Sequence, residues 1–338
     1  MATTETQKID EIISSRRAMM MLGGTALAGL ALSGSAKAQS TSTITDNDIL
    51  NFALNLEYLE ANFYYLAAFG TTIDVANAAS SAAKAPLLTL TGVGTQGTVS
   101  VKANAKVPFQ SVAVGSYAVE TAVEEGKHVA FLQKTLGSTA AVAQPAIDLM
   151  AAWNTLAVAA GIGASFDPFA SDGNFLIGAY VFEDVGVTAY HGAASLFTTT
   201  ATGKAYLGAA AGILAVEAYH AGLIRTTINV LDTTGGLQSL TQSVSGLRAK
   251  LSAAALTPVP NPANPDDVAL GPQQVVLGTQ AAVTATSIVN ADGNVVAFSR
   301  NTTQVLNIVT GGGAIVGGKV VTPAKGVFFP AGLNGLIK

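Results

Sequence analysis

The sequence predicts an all-α fold, a four-helix bundle with one long crossover, followed by an irregular, β-leaning C-terminal tail. Three observations carry this. Apolar residues recur at helical spacing in four long segments between Asp46 and Leu231. The spacing Glu-x-x-His occurs at Glu125–His128 and again at Glu217–His220, and residues three apart share a helix face. Beyond Asp232 the helical period gives way to Pro, Gly and β-branched runs.

The chain has 338 residues, 49% of them hydrophobic, which is room for a sizeable core. Only 11% are charged and mean hydropathy is +0.44, yet the apolar content is spread Ala, Gly and Val. Outside the N-terminus no uninterrupted apolar run has the length of a bilayer span, so no transmembrane segment is expected in the mature chain. A formal net charge of -4 argues against nucleic acid. The chain has no cysteine, which excludes disulfides, zinc ribbons, iron–sulfur clusters and thiol nucleophiles. With three histidines, a His-bearing metal site has little choice of ligand.

Residues 1–38 read as a targeting segment. Ser15-Arg16-Arg17-Ala18-Met19-Met20 has the form of a twin-arginine signal, followed by a weakly hydrophobic stretch from Met21 to Ser35 and an Ala36-Lys37-Ala38 cleavage site. The expected mature start is Gln39, in a periplasmic or extracellular protein. The alternative is an uncleaved anchor, for which the glycine-diluted run is barely long enough.

The bundle is expected over residues 45–232. A first helix begins with Asp46 or Asn47 as cap, carries the stripe Ile49, Phe52, Leu56, Leu59, Phe63 and Leu66, and stops at Gly70. Residues 71–107 read as an insertion, with a short strand at Thr98–Lys102. The second helix runs from about Ser111 to Leu136 and closes at Gly137. Residues 138–171 form the crossover, with a helix of its own from Pro145 to Ala160 stopped by Gly161. The third helix is expected over Gly173–Phe197 and the fourth over Lys204–Leu231.

The tail, 233–338, starts with an amphipathic helix, Leu237–Ala254, and a stiff linker from Pro258 to Pro265. A hairpin is expected where Ser287–Asn290 and Asn294–Phe298 flank Ala291-Asp-Gly293, then a short helix over Thr302–Thr310 and an apolar docking segment, Gly326–Pro330.

Two Glu-x-x-His pairs need two further carboxylates to make a dinuclear site, and Glu57 (or Glu60) and Glu183 are available. Glu183 lies 17 residues before Thr200 and Glu217 lies 17 after it, so an antiparallel pair turning there puts both at one height. That height is about 25 Å from the turn at about 1.5 Å per residue. Glu57, 13 residues before Gly70, and Glu125, 17 after Pro108, meet in the same way.

The stretches Ile49–Glu60, Glu124–His128, Leu214–Arg225 and, less specifically, Phe328–Gly335 resemble the ferritin-like superfamily, and within it the secreted branch related to desiccation-associated proteins. The resemblance covers most of residues 45–232. It implies Glu57 as the lone first-helix ligand, because Tyr64 follows seven residues later, and Glu125 with His128 as the second-helix pair. It implies Glu183 as the third-helix carboxylate and Glu217 with His220 as the fourth-helix pair. The insertion, the tail and the export signal depart from cage-forming members and weigh against storage inside a shell.

Carboxylates and neutral imidazoles suit two iron or two manganese ions and suit copper(I) poorly. Two metals bridged by Glu125 and Glu217, one carrying His128 and the other His220, would keep open positions for peroxide or dioxygen. Glu60 is either a substitute ligand or an acid behind the ligands, whereas Glu124, about 100° around the helix from Glu125, is expected at the surface. His191 lies about 12 Å further along its helix than Glu183 and is expected to be packed or hydrogen-bonded elsewhere. Tyr64 and Tyr190 each follow a candidate ligand by seven residues, as hydrogen-bond donors, radical quenchers or core.

The leading expectation is an exported dinuclear protein that oxidises Fe(II) or removes peroxide. The competing one is a non-catalytic structural protein, protective in drying stress or acting in interactions at the cell surface, that keeps these residues for stability and uses its tail for contacts. A third, an oxygenase with an organic substrate, requires a pocket beside the site. Low-charge helix faces point to a dimer or larger assembly.

Overall fold

A computed structural model describes residues 43–74, 87–256, 265–276, 278–312, 315–316, 319–320 and 325–338. The expected export signal at 1–38 and most of the expected 258–265 linker lie outside the described residues.

Four long helices form the bundle: α1 (Asp46–Phe69), α2 (Val112–Leu136), α4 (Asp172–Ala193) and α5 (Ala201–Leu231), with α3 (Ala151–Ala159) in the crossover. The N-cap of α1 is Thr45 and not Asp46 or Asn47, because Thr45 and Asp48 bond each other's backbone N–H in a capping box. Gly70 ends α1 at φ 75°, a left-handed turn that any Cβ would resist. Ser111 caps α2 and Gly137 closes it, as expected. Helix α4 ends four residues early, at Ala193, and tightens into a 3₁₀ turn at Ala194–Leu196. Helix α5 starts three residues early, because the Thr200 side chain accepts the Gly203 N–H.

The crossover helix is shorter than expected. Pro145 does not open it, because Ile147–Asp148 (β2) pairs in parallel with Val99–Ser100 (β1) of the insertion. The Asp148 carboxylate then accepts the N–H of Met150 and Ala151, and the helix starts there. The insertion is thereby tied to the crossover.

Helices α1 and α4 are the most buried. Phe63 of α1 stacks on Phe175 of α4 at 5.9 Å and meets Trp153 of α3 at 5.6 Å. Helix α5 would suffice to cross a membrane by length and composition alone, although Glu217, His220 and Arg225 interrupt its apolar run. Its apolar character comes from Ala, Leu, Ile and Val, while those three polar side chains are buried inside the bundle.

The tail packs on its own bundle. It contributes α6 (Gly236–Ala254), an antiparallel pair of β3 (Pro272–Val275) and β4 (Val283–Thr286), α7 (Thr302–Thr310), and a short antiparallel pair of β5 (Ile315–Val316) and β6 (Lys319–Val320). The hairpin expected at 287–298 reduces to one bridge, Ala291 with Ala297, because the Asp292 carboxylate takes the Asn294 and Val296 N–H groups and closes a turn. The ladder sits upstream instead, in β3 and β4.

A buried ion network fastens the tail. Asp184 of α4 receives Arg225 of α5 and Arg248 of α6, each at 2.8 Å. Arg248 continues to Asp267 at 2.8 Å, and Asp267 to Arg300 at 2.9 Å. The guanidinium groups of Arg225 and Arg248 lie 5.3 and 4.6 Å from the Tyr180 ring centre. The Arg300 backbone runs so close to α4 that a Cβ on Gly192 would fall 1.9 Å from its carbonyl oxygen. Further on, Phe328 packs on Trp153 and Phe182 at 5.2 and 4.9 Å. Asn334 exchanges two hydrogen bonds with Asn55 of α1, each 2.9 Å.

Candidate metal centre

The antiparallel pairing of α1 with α2 and of α4 with α5 carries Glu57, Glu125, His128, Glu183, Glu217 and His220 to one place inside the bundle. The four carboxylates are at most 1% exposed, His220 is 4% and His128 9%. His128 Nδ1 lies 3.3 Å from Glu57 Oε2, 3.4 Å from Glu217 Oε1 and 3.5 Å from Glu125 Oε2. On the other side His220 Nδ1 lies 2.9 Å from Glu125 Oε1 and 3.5 Å from Glu183 Oε2. Glu125 therefore faces both histidines, one oxygen to each.

These atoms approach without bonding. Glu57 Oε2, both oxygens of Glu125 and of Glu217, Glu183 Oε2 and the Nδ1 atoms of both histidines are buried with no hydrogen-bond partner among the described residues. Eight unpaired polar atoms at one spot would be costly if they served no ligand. Their donor set, carboxylate oxygen and imidazole nitrogen, fits iron or manganese. Glu57, Glu125, His128 and Glu217 form one group, and Glu125, Glu183 and His220 another, with ligand atoms in each within 4.8 Å of one another.

The outer oxygens are held by the two tyrosines. Tyr190 of α4 donates to Glu57 Oε1 on α1, and Tyr64 of α1 donates to Glu183 Oε1 on α4. Each tyrosine thus fixes the carboxylate of the opposite helix, leaving its Oε2 to face the centre. Glu60 is also buried, and its carboxylate groups with Glu183 and Glu217 within 4.8 Å. His191 is placed elsewhere, with Nδ1 3.1 Å from the Phe298 carbonyl oxygen.

Crowded acids in a dry site resist ionisation. Burial pushes Glu57 up to about 7, against the pull of His128. Glu60 and Glu217 are raised as well, by burial and by neighbouring carboxylates, and burial also raises Glu183. Burial works the same way on Glu125, but the adjacent His128 and His220 imidazoles outweigh it and hold Glu125 below the usual range. Both imidazoles are raised despite their burial, His128 first by Glu57 and His220 first by Glu183. Without cations, then, the centre keeps protons. Two divalent ions would release them and balance the four carboxylates.

One contributor escapes the sequence reading. Glu124 Oε2 lies 2.9 Å from His220 Nε2, the ring nitrogen facing away from the centre. Glu124 is half-exposed, as expected, yet it orients the imidazole and selects its tautomer. Its signal was its place beside Glu125 on the helix opposite His220.

The ferritin-like domain model matches residues 45–230. The chain is 33% identical over 191 residues to the Desiccation-related protein PCC13-62 of Craterostigma plantagineum, 54% of this chain and 53% of that one, so it spans about half of that relative. It is 24% identical over 304 residues to the Ferritin-like catalase Nec2 of Nesocodon mauritianus, covering 86% of this chain and 84% of the relative. No solved structure matches it significantly. A match over more than half the chain, on the helices that carry the clustered carboxylates and imidazoles, places the protein in the ferritin-like domain family.

Proposed function

We propose that this protein binds two iron or two manganese ions at the centre and uses them to remove hydrogen peroxide or to oxidise Fe(II), as an exported protein acting in stress protection. The observation that carries this reading is the convergence of six buried side chains from four helices whose inward atoms have no hydrogen-bond partner among the described residues. Glu57 and His128 would hold one ion and Glu183 and His220 the other, with Glu125 and Glu217 between them. When bound, such ions supply one-electron redox chemistry and an open coordination position. The protein's share is to keep the site dry and the carboxylates oriented, through Tyr64, Tyr190 and Glu124.

Peroxide removal has the simpler balance, since two molecules of hydrogen peroxide yield dioxygen and two of water with no outside reductant. It is supported by the relative named a catalase, whose likeness covers 86% of this chain and so extends into the tail. A non-catalytic protective scaffold is the second reading, favoured by the ion network that locks bundle to tail and by the relative named for desiccation. Twin-arginine export, for which Arg16 and Arg17 speak, is part of the proposal.

Elemental analysis of the purified protein beside a Glu125→Ala, Glu217→Ala variant tests it. The expected result is about two iron or manganese atoms per chain, lost in the variant together with peroxide-dependent or Fe(II)-dependent turnover. A native protein without metal, as stable as the variant, would leave the scaffold reading.

A further inference from the structure

An apolar funnel beside the centre is not accounted for by the metal reading. It lies between α1, α3, α4 and the tail, and encloses about 50 Å³. Its mouth is formed by half-buried side chains, among them Leu156, Ala160, Leu247 and Leu251. Leu59, Glu60, Phe182 and Gly186, all buried, line its inner part. At Gly186 that wall abuts the centre. A Cβ on Gly186 would fall 2.2 Å from Glu217 Oε2, and the Glu60 carboxylate groups with those of Glu183 and Glu217.

Size and lining limit the guest. The enclosed space is well below the roughly 150 Å³ apolar cavity that accepts benzene, but it exceeds the roughly 15 Å³ that one water needs. Only Glu60 and Arg248 among the lining residues carry charge, so an ion would lose its hydration with little return. Two buried N–H groups of the lining residues, Trp153 Nε1 and Arg248 Nε, have no acceptor among the described residues. A small neutral molecule bearing oxygen meets all three conditions.

Among the described residues, none from α2 or α5 lines the funnel. Of these, α2 brings both His128, 11% exposed in its side chain, and the half-exposed Glu124. The polar approach suited to a cation and the apolar one are therefore on different helices. The tail builds one wall of the funnel, through Val244, Leu247, Leu251, Val309 and Phe328.

Resting on the metal-centre reading, we propose that this funnel is a binding and access site for a neutral two-oxygen molecule, dioxygen or hydrogen peroxide, and that the tail exists in part to form it. Metal ions take the other face. The test uses the full chain, wild type and Ala160→Phe, which plugs the half-buried mouth; Ala157→Leu, which fills the buried interior, is the second variant should the first fold poorly. Crystals pressurised with xenon should show the gas beside Phe182 and Phe328 in the wild type and in the Glu125→Ala, Glu217→Ala chain, but not in the plugged variant. Metal content should be equal in wild type and plugged variant, while oxidation of the reduced centre slows severalfold. Slowing with dioxygen alone, peroxide alone or both names the guest. Absence of xenon from the wild-type funnel, or unchanged rates with both oxidants in the plugged chain, would overturn the proposal. A wild-type chain without metal overturns the metal reading instead, and elemental analysis of the same samples shows which has failed.

Discussion

Glu124 illustrates how much a half-exposed side chain can matter when its partner is buried. It meets His220 Nε2 at 2.9 Å and leaves Nδ1 to face Glu125 and Glu183. Glu124→Gln keeps the shape and removes the charge, so metal affinity should fall about 10- to 100-fold with little change in folding. Metal titration of the refolded, chelated chain checks this; unchanged affinity would make Glu124 a bystander. At this scale the six clustered residues are legible in the sequence because Glu-x-x-His is local and the helix period converts spacing into direction. The bond from Glu124 is not, because it crosses between α2 and α5 and depends on which nitrogen of His220 faces inward. For Tyr64 and Tyr190 hydrogen-bond donation was one of the readings the sequence left open beside core packing, and their exchange of partners between α1 and α4 required the packed register.

At the level of elements, the four bundle helices have caps and stops written into short motifs, and their ends are found within a few residues. The crossover helix is misread because Pro145 is a sound helix opener locally, whereas the pairing of β1 with β2 is a contact between distant segments. The docking of the tail is hidden for the same reason, since nothing periodic links Asp184, Arg248, Asp267 and Arg300. That network can be weighed directly. Arg248→Ala leaves Asp267 with Arg300 and Asp184 with Arg225, each short of one buried partner, and should cost about 3–5 kcal/mol of stability. Denaturant unfolding of the two chains, with metal content followed in parallel, measures it. A loss under about 1 kcal/mol would show that the network is no more than a surface pair in worth.

For the whole molecule, the protons held by the centre set the pH dependence. Glu57 is raised from 4.5 to about 7 by burial, Glu183 and Glu217 are also raised, and so are both histidines. The folded, metal-free chain therefore holds protons that the unfolded chain releases, and its stability should fall as pH rises from about 4.5 through about 7. Glu125, held low, acts oppositely, but its contribution is already complete above its unfolded value of 4.5. Metal requires the same groups deprotonated, so the gap in Tm between loaded and chelated protein should widen from acid to neutral pH. Scanning calorimetry at several pH values checks this; a constant gap would mean that these groups do not ligate. The late position of the tail also sets a sequence of events. His220, the last of the clustered residues, precedes Asn334 by 114 positions, and a chain made from its N-terminus completes its bundle before the tail is synthesised. The bundle residues are thus all present while the funnel still lacks a wall, so, if the proposed centre and funnel are right, the newborn chain could fill with metal before the compartment for its oxidant has been closed.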